Sequence, residues 1–93
     1  MPRPICPRTI SHSPPATYFK PAGIPLRDLE EILLAADELE SVRLADCKEL
    51  YHADAAKRMG ISRQTFDRIL RRARGKIACT LVNGHALRIE KFA

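Results

Sequence analysis

Apolar positions in the second half of the chain recur at intervals of three and four. Phe66, Ile69, Leu70, Ala73, Ile77 and Leu81 share one helical stripe. The spacing predicts one long helix from about Arg63 to Val82, about 30 Å at a 1.5 Å rise. Gly75 is a weak point inside it, worth about 1 kcal/mol relative to alanine. Asn83 and Gly84 form a stop signal, and residues 86–91, ALRIEK, then alternate apolar and polar. That alternation is compatible with a short terminal strand. Its partner would be the segment near Ile32–Leu34, the N-terminal arm or another chain. Upstream, Asp37 followed three residues later by Glu40 has the form of a capping box. It predicts a helix through about Cys47 with Leu39, Val42 and Ala45 inward. Leu29 to Ala35 reads equally as a short strand or the start of a helix. All seven prolines lie in residues 1–26, which predicts an extended arm carrying Arg3, Arg8 and Lys20. Its end would be anchored by Tyr18 and Phe19. The division expected is an arm over 1–26 and a mainly α domain over 27–93.

Between these elements, HADAAKRMGISRQTFDRIL at 52–70 has the spacing of a helix-turn-helix. Ala56 is small enough for two helices to pass closely, and Gly60 can take the left-handed conformation that ends the first of them, His52 to Met59. Ser62 is placed to cap the next helix, and Ile61, Phe66 and Ile69 give the packing face that fixes the angle. Arg63, Gln64, Asp67, Arg68 and Arg71 remain on the outer face. Such an element is the usual device for placing a helix in the DNA major groove.

Charge sharpens this reading. The net charge is +5, but Lys57 to Lys76 hold eight bases and one acid, whereas Arg27 to Ala56 hold nine acids and three bases. A basic half therefore follows an acidic half. The first can displace counterions from a phosphate backbone; the second is expected to face away from DNA or towards another partner. Ninety-three residues make one domain. No apolar run approaches the roughly 20 residues needed to span a bilayer, so no membrane partner is expected. The N-terminus lacks the apolar stretch of a secretory signal, and a cytoplasmic location is expected. Three cysteines, Cys6, Cys47 and Cys79, form no CxxC pair, and their odd number argues against a disulfide framework. With His12, His52 and His85 they show no metal-ligand spacing; buried apolar thiols and surface imidazoles are the plainer expectation. No cofactor is implied, and no third group orients a Cys–His pair for catalysis.

The chain also resembles a family of small predicted DNA-binding proteins of bacteria and archaea, of unassigned function, with a core like region four of sigma factors. The matching stretches are MPRP at the start, TYFKPAGIPL at 17–26, DELESVRLAD at 37–46, AAKRMGISRQTF at 55–66 and TLVNGHALRIE at 80–90. The resemblance covers nearly the whole chain, and TYFKPAG and the LVNG stretch are its more specific parts. It implies a helical fold, a role in DNA binding and no enzymatic activity. It sets Ser62, Arg63, Gln64, Thr65 and Arg68 at the start of a recognition helix. Two positions depart from the family's pattern: Asp67, where relatives often have a small residue, and Ser11, near which they often have a cysteine in a more basic arm.

The expectation is a transcriptional regulator that binds duplex DNA with the 62–75 helix in the major groove. Arg63, Gln64 and Arg68 would read base edges, arginine matching guanine and glutamine matching adenine. Asp67 repels phosphate but can accept from a cytosine amino group. Ser62 and Thr65 would bond phosphate or cap the helix, and Arg71, Arg72 and Arg74 would secure the backbone. One module binds specifically only weakly, so a homodimer is expected, with the 86–91 strand as one route to it. Two alternatives come from other classes. One is an interaction module contacting RNA polymerase through the acidic helix at 37–49. The other is a metal- or redox-sensing regulator in which Cys6, Cys47 or Cys79 holds a ligand.

Overall fold

The computed structural model describes residue 10 and residues 13–90. Arg3, Cys6, Arg8, Ser11, His12 and Lys91, singled out above, lie outside the described residues. The order is β1 (Tyr18–Phe19), a 3-10 turn (Leu26–Asp28), β2 (Glu31–Leu34), α1 (Ala36–Val42) running into a π turn (Arg43–Cys47), α2 (His52–Met59), α3 (Arg63–Asn83) and β3 (Ala86–Ile89). Helices dominate, and the strands form one small sheet in the order β1-β3-β2. No helix of the described residues is long and apolar enough to cross a membrane.

β3 is the centre of the sheet. It runs parallel to β2, with Glu31 opposite Ala86 and Leu34 opposite Ile89, and antiparallel to β1, with Tyr18 opposite Arg88. Two of the partners open to the terminal strand are therefore both used, and Leu29–Ala35 resolves to a strand. Because both edges of β3 are occupied, edge pairing of 86–89 with a second chain is closed off, which corrects the expected dimer route. The arm's end is held as expected, though by the β1 ladder and by Tyr18, whose hydroxyl donates to Glu31 at 2.7 Å, rather than by burial of both aromatics. Phe19 stays 54% exposed.

α3 is the spine. Phe66, Ile69, Leu70 and Ala73 are buried along it as the stripe requires. Its first turns pack Phe66 and Leu70 against Leu44, Ala55, Ala56 and Met59, while Ala73 meets Leu34 and Ile89 of the sheet. Val42 touches both clusters and joins them. The stripe departs from expectation at its end. Thr80 is the buried residue, its hydroxyl donating to the Lys76 carbonyl at 2.8 Å, and Leu81 is left in solvent. Gly84 closes the helix at φ 69°, with the His85 amide donating to the Thr80 carbonyl.

α1 corrects the sequence reading more sharply. It starts one residue before Asp37, and the back-bond of its first turn comes from Glu38, which accepts from the Ala35 amide at 2.9 Å. The expected Asp37–Glu40 box is not its cap. Leu39, Val42 and Ala45 are only half-buried, whereas Glu38, Glu40, Ser41 and Leu44 are buried. Burying carboxylates requires partners, and both have them. Glu40 accepts two 2.9 Å bonds from Arg43. Glu38 accepts from Arg72 and Lys76 of α3.

Candidate nucleic-acid interface

The α2–turn–α3 unit is built by local rules. Gly60 ends α2 at φ 70°, its amide donating to the Lys57 carbonyl and the Ile61 amide to the Ala56 carbonyl, both at 3.1 Å. That pair of bonds is the Schellman closure, which favours glycine at the left-handed position. Ala56, almost fully buried, lets α2 and α3 approach. Ser62 caps α3: its Oγ accepts from the Thr65 amide at 3.1 Å and donates to the Thr65 hydroxyl at 2.9 Å. With Phe66, Ile69 and Leu70 turned into the core, the opposite face of α3 is forced outward.

Arg63, Gln64, Asp67, Arg68 and Arg71 are all exposed there, and Gln64, Asp67, Arg68 and Arg71 line one shallow depression. Thr65 is half-buried and its hydroxyl, shared with the cap, also lies 3.5 Å from an Arg68 nitrogen. Asp67 is not alone. His52 at the head of α2 brings Nδ1 within 2.9 Å of its carboxylate, and Arg63 Nε lies 3.8 Å from the other oxygen. The His52 ring also tilts against Phe66, with centroids 5.5 Å apart. Nothing in the sequence pattern marks this pairing, because the two residues are 15 apart and on different helices.

The remaining predicted site residues lie in a different environment. Arg72 Nε donates to Glu38 at 2.9 Å, and Arg74 grips Asp46 with two bonds of 3.1 and 2.7 Å. Lys76 donates to Glu38 at 2.8 Å and to the Leu33 carbonyl at 2.7 Å. Burial alone would push the Glu38 carboxyl up, but the bonds from Lys76, the Ala35 amide and Arg72 outweigh it and hold the group below its usual range. The Arg74 bonds lower Asp46 in the same way, and Asp46 in turn raises Arg74. The acidic half is thus folded onto the C-terminal part of the basic helix. The first two turns of α3 keep a cationic outer surface, which can attract phosphate and offer donors to base edges.

The cysteine expectation fails in part. Cys47 and Cys79 are exposed rather than buried, because the inner positions of their helices are taken by Leu44 and Thr80. Among the described residues no three His, Cys, Asp or Glu side chains converge as a metal site would require.

The fold and surface define a small, mainly helical protein that presents one cationic helix beside a three-stranded sheet. The chain belongs to the family described as Protein of unknown function DUF134, whose model matches residues 1–91. It is 56% identical over 90 residues to a UPF0251 protein of Moorella thermoacetica, covering 97% of this chain and 60% of the relative. A UPF0251 protein of Vibrio vulnificus is 55% identical over 87 residues, covering 94% of this chain and 87% of the relative. One from Methanosarcina acetivorans is 49% identical over 88 residues, covering 95% and 79%. Bacteria and archaea are thus both represented, and the chain spans about three fifths of the Moorella relative's length. No solved structure matches the chain.

Proposed function

We propose that this protein binds duplex DNA through a helix-turn-helix formed by α2 and α3, of the kind found in region four of sigma factors, and regulates transcription. The observation that carries the reading is the outward face of α3. Arg63, Gln64, Arg68 and Arg71 are exposed on its first turns, braced from below by buried Phe66, Ile69 and Leu70. Recognition helices read base edges mainly with their N-terminal residues. Arg63, Gln64 and Arg68 are the readers, with Arg71 on phosphate. Ser62 and Thr65 serve the cap first, since their side chains are bonded to each other. Arg72 and Arg74 are the weaker candidates, since phosphate would have to compete with Glu38 and Asp46 for them. The polymerase-contacting alternative draws less support. Glu38, Glu40 and Asp46, three of the five acids in residues 37–49, are bonded within the chain.

The test is duplex binding measured by fluorescence anisotropy, first on a pool and then on a selected site. Arg68→Ala should cost about 1–3 kcal/mol on the selected site and little on unrelated duplex. Equal loss on both would mean Arg68 touches only the backbone, and no binding by the intact chain would end the proposal.

A further inference from the structure

One acid stands in the middle of the cationic face. From Lys57 to Lys76, Asp67 is the single carboxylate among eight bases. It shares a shallow depression on the outer side of α3 with Gln64, Arg68 and Arg71. A carboxylate there repels phosphate and works against general affinity for duplex. The fold nevertheless fixes it in place. His52, at the head of α2, brings Nδ1 within 2.9 Å of Oδ1, and its ring rests at a tilt against buried Phe66. Because a carboxylate can only accept, Nδ1 carries the proton of that bond. Oδ2 lies 3.8 Å from Arg63 Nε, too far for a hydrogen bond, and the side chain is 46% exposed. One oxygen is thus bonded within the protein, and the group keeps acceptor capacity on an exposed face.

We propose that Asp67 is a specificity-determining residue of this face, selecting cytosine in the base pair it meets, with His52 as the positioning residue that holds its carboxylate. This role rests on the reading that α3 enters the major groove. Two groups donate there, the N4 amino group of cytosine and the N6 amino group of adenine. Adenine sets its N7 acceptor beside that amino group, which opposes a carboxylate. Guanine offers N7 and O6, and thymine offers O4 and a methyl group. Cytosine alone presents a donor with no acceptor beside it on its own edge.

The neighbouring side chains cannot make this choice. Arg63 and Arg68 only donate and match guanine, and Gln64 matches adenine. Asp67 therefore adds a distinction the bases of α3 lack. By repelling phosphate it also weakens binding to every other sequence, so specificity rises while raw affinity falls. The bond from His52 limits the rotamers of Asp67, so its acceptor is in place before DNA arrives.

The experiment selects duplexes from a random pool with the full chain. Anisotropy is then measured on the selected site and on each of its single base-pair changes, for the parent, Asp67→Ala, Asp67→Asn and His52→Phe. The parent should lose roughly tenfold when one particular C·G pair is changed. Asp67→Ala should accept any base at that pair within about twofold, keep its preferences elsewhere, and bind unrelated duplex about twofold to fivefold more tightly. Asp67→Asn should favour adenine at that pair, since an amide side chain matches both N6 and N7. His52→Phe keeps a ring against Phe66 and should weaken the cytosine preference roughly threefold, with the other pairs unaffected. A cytosine preference that persists in Asp67→Ala, or variants that lose affinity alike at every base pair, overturns the assignment and leaves duplex binding standing. An undiminished preference in His52→Phe overturns the part given to His52. Failure of the parent to bind any duplex overturns the DNA reading itself, and this role with it.

Discussion

Glu38 is the most exacting place to perturb this fold, because it is a carboxylate only 1% exposed that joins α1 to α3. Replacing it by glutamine keeps the shape and an acceptor for the Ala35 amide. It removes the charge that Lys76 at 2.8 Å and Arg72 at 2.9 Å address. A bond to a charged group contributes about 1.5–3 kcal/mol and a neutral one about 0.5–1.5, so two weakened bonds amount to about 2 kcal/mol. The glutamine side chain also escapes the desolvation of a buried charge, which offsets part of that loss. Arg72 is about half-exposed and returns to water, so the about 3–5 kcal/mol of a stranded buried ion is not reached. The expected net effect of Glu38→Gln is a loss of about 1–2 kcal/mol, or roughly 5–15 °C in Tm for a domain this size. Urea unfolding followed by circular dichroism at pH 7 measures it, with an unchanged m-value as the check on two-state behaviour. The pH dependence follows from the sign of the shift. The carboxyl is held below its ordinary value in the folded state, so its contribution is complete above about pH 5 and fades as pH falls through the folded pKa. The gap between parent and variant must therefore narrow as pH falls below about 5. A gap under about 0.5 kcal/mol at pH 7, or one that widens in acid, refutes the reasoning.

Three further outcomes are expected. Gly75→Ala should stabilise the protein by about 0.5–1 kcal/mol, since Gly75 is helical and exposed and nothing stands within 4 Å of an added Cβ; a lowered urea midpoint would contradict this. Ser62→Ala removes the α3 cap and should cost about 1 kcal/mol, read as a fall in Tm, whereas an unchanged Tm would mean the cap is dispensable. Asp67→Asn removes the acid from between Arg63 and Arg68 and should raise affinity for unrelated duplex about twofold to fivefold; weaker binding in anisotropy would show that the His52–Asp67 contact positions the helix instead.

The sequence made some of this legible and hid the rest for physical reasons. α3, its cap at Ser62 and its stop at Gly84 follow from local rules: a three-and-four apolar stripe, a hydroxyl at the cap and a glycine at the left-handed position. The outward polar face follows from the same stripe, since burying Phe66, Ile69 and Leu70 leaves Arg63, Gln64 and Arg68 outside. What apolar patterning misses is polar burial. Thr80 could replace Leu81 on the inner face because its hydroxyl is satisfied by the helix's own carbonyl. α1 could turn Glu38 inward because Arg72 and Lys76 arrive from 34 and 38 residues downstream. Those long-range pairs also explain why the basic half looked freer in sequence than it is in the fold. Arg72, Arg74 and Lys76 are neutralised by the acidic half that precedes them.

The most direct test of the central claim is the salt dependence of binding to random duplex by the parent and two multiple variants. If the first turns of α3 form the contact, log K falls linearly with log salt, with a slope near −3 for about three or four phosphates engaged. Replacing Arg63, Arg68 and Arg71 together by alanine flattens that slope, whereas replacing Arg72 and Arg74 leaves most of it. Binding that is absent at low salt contradicts the account. So does a slope that Arg72 and Arg74 carry instead.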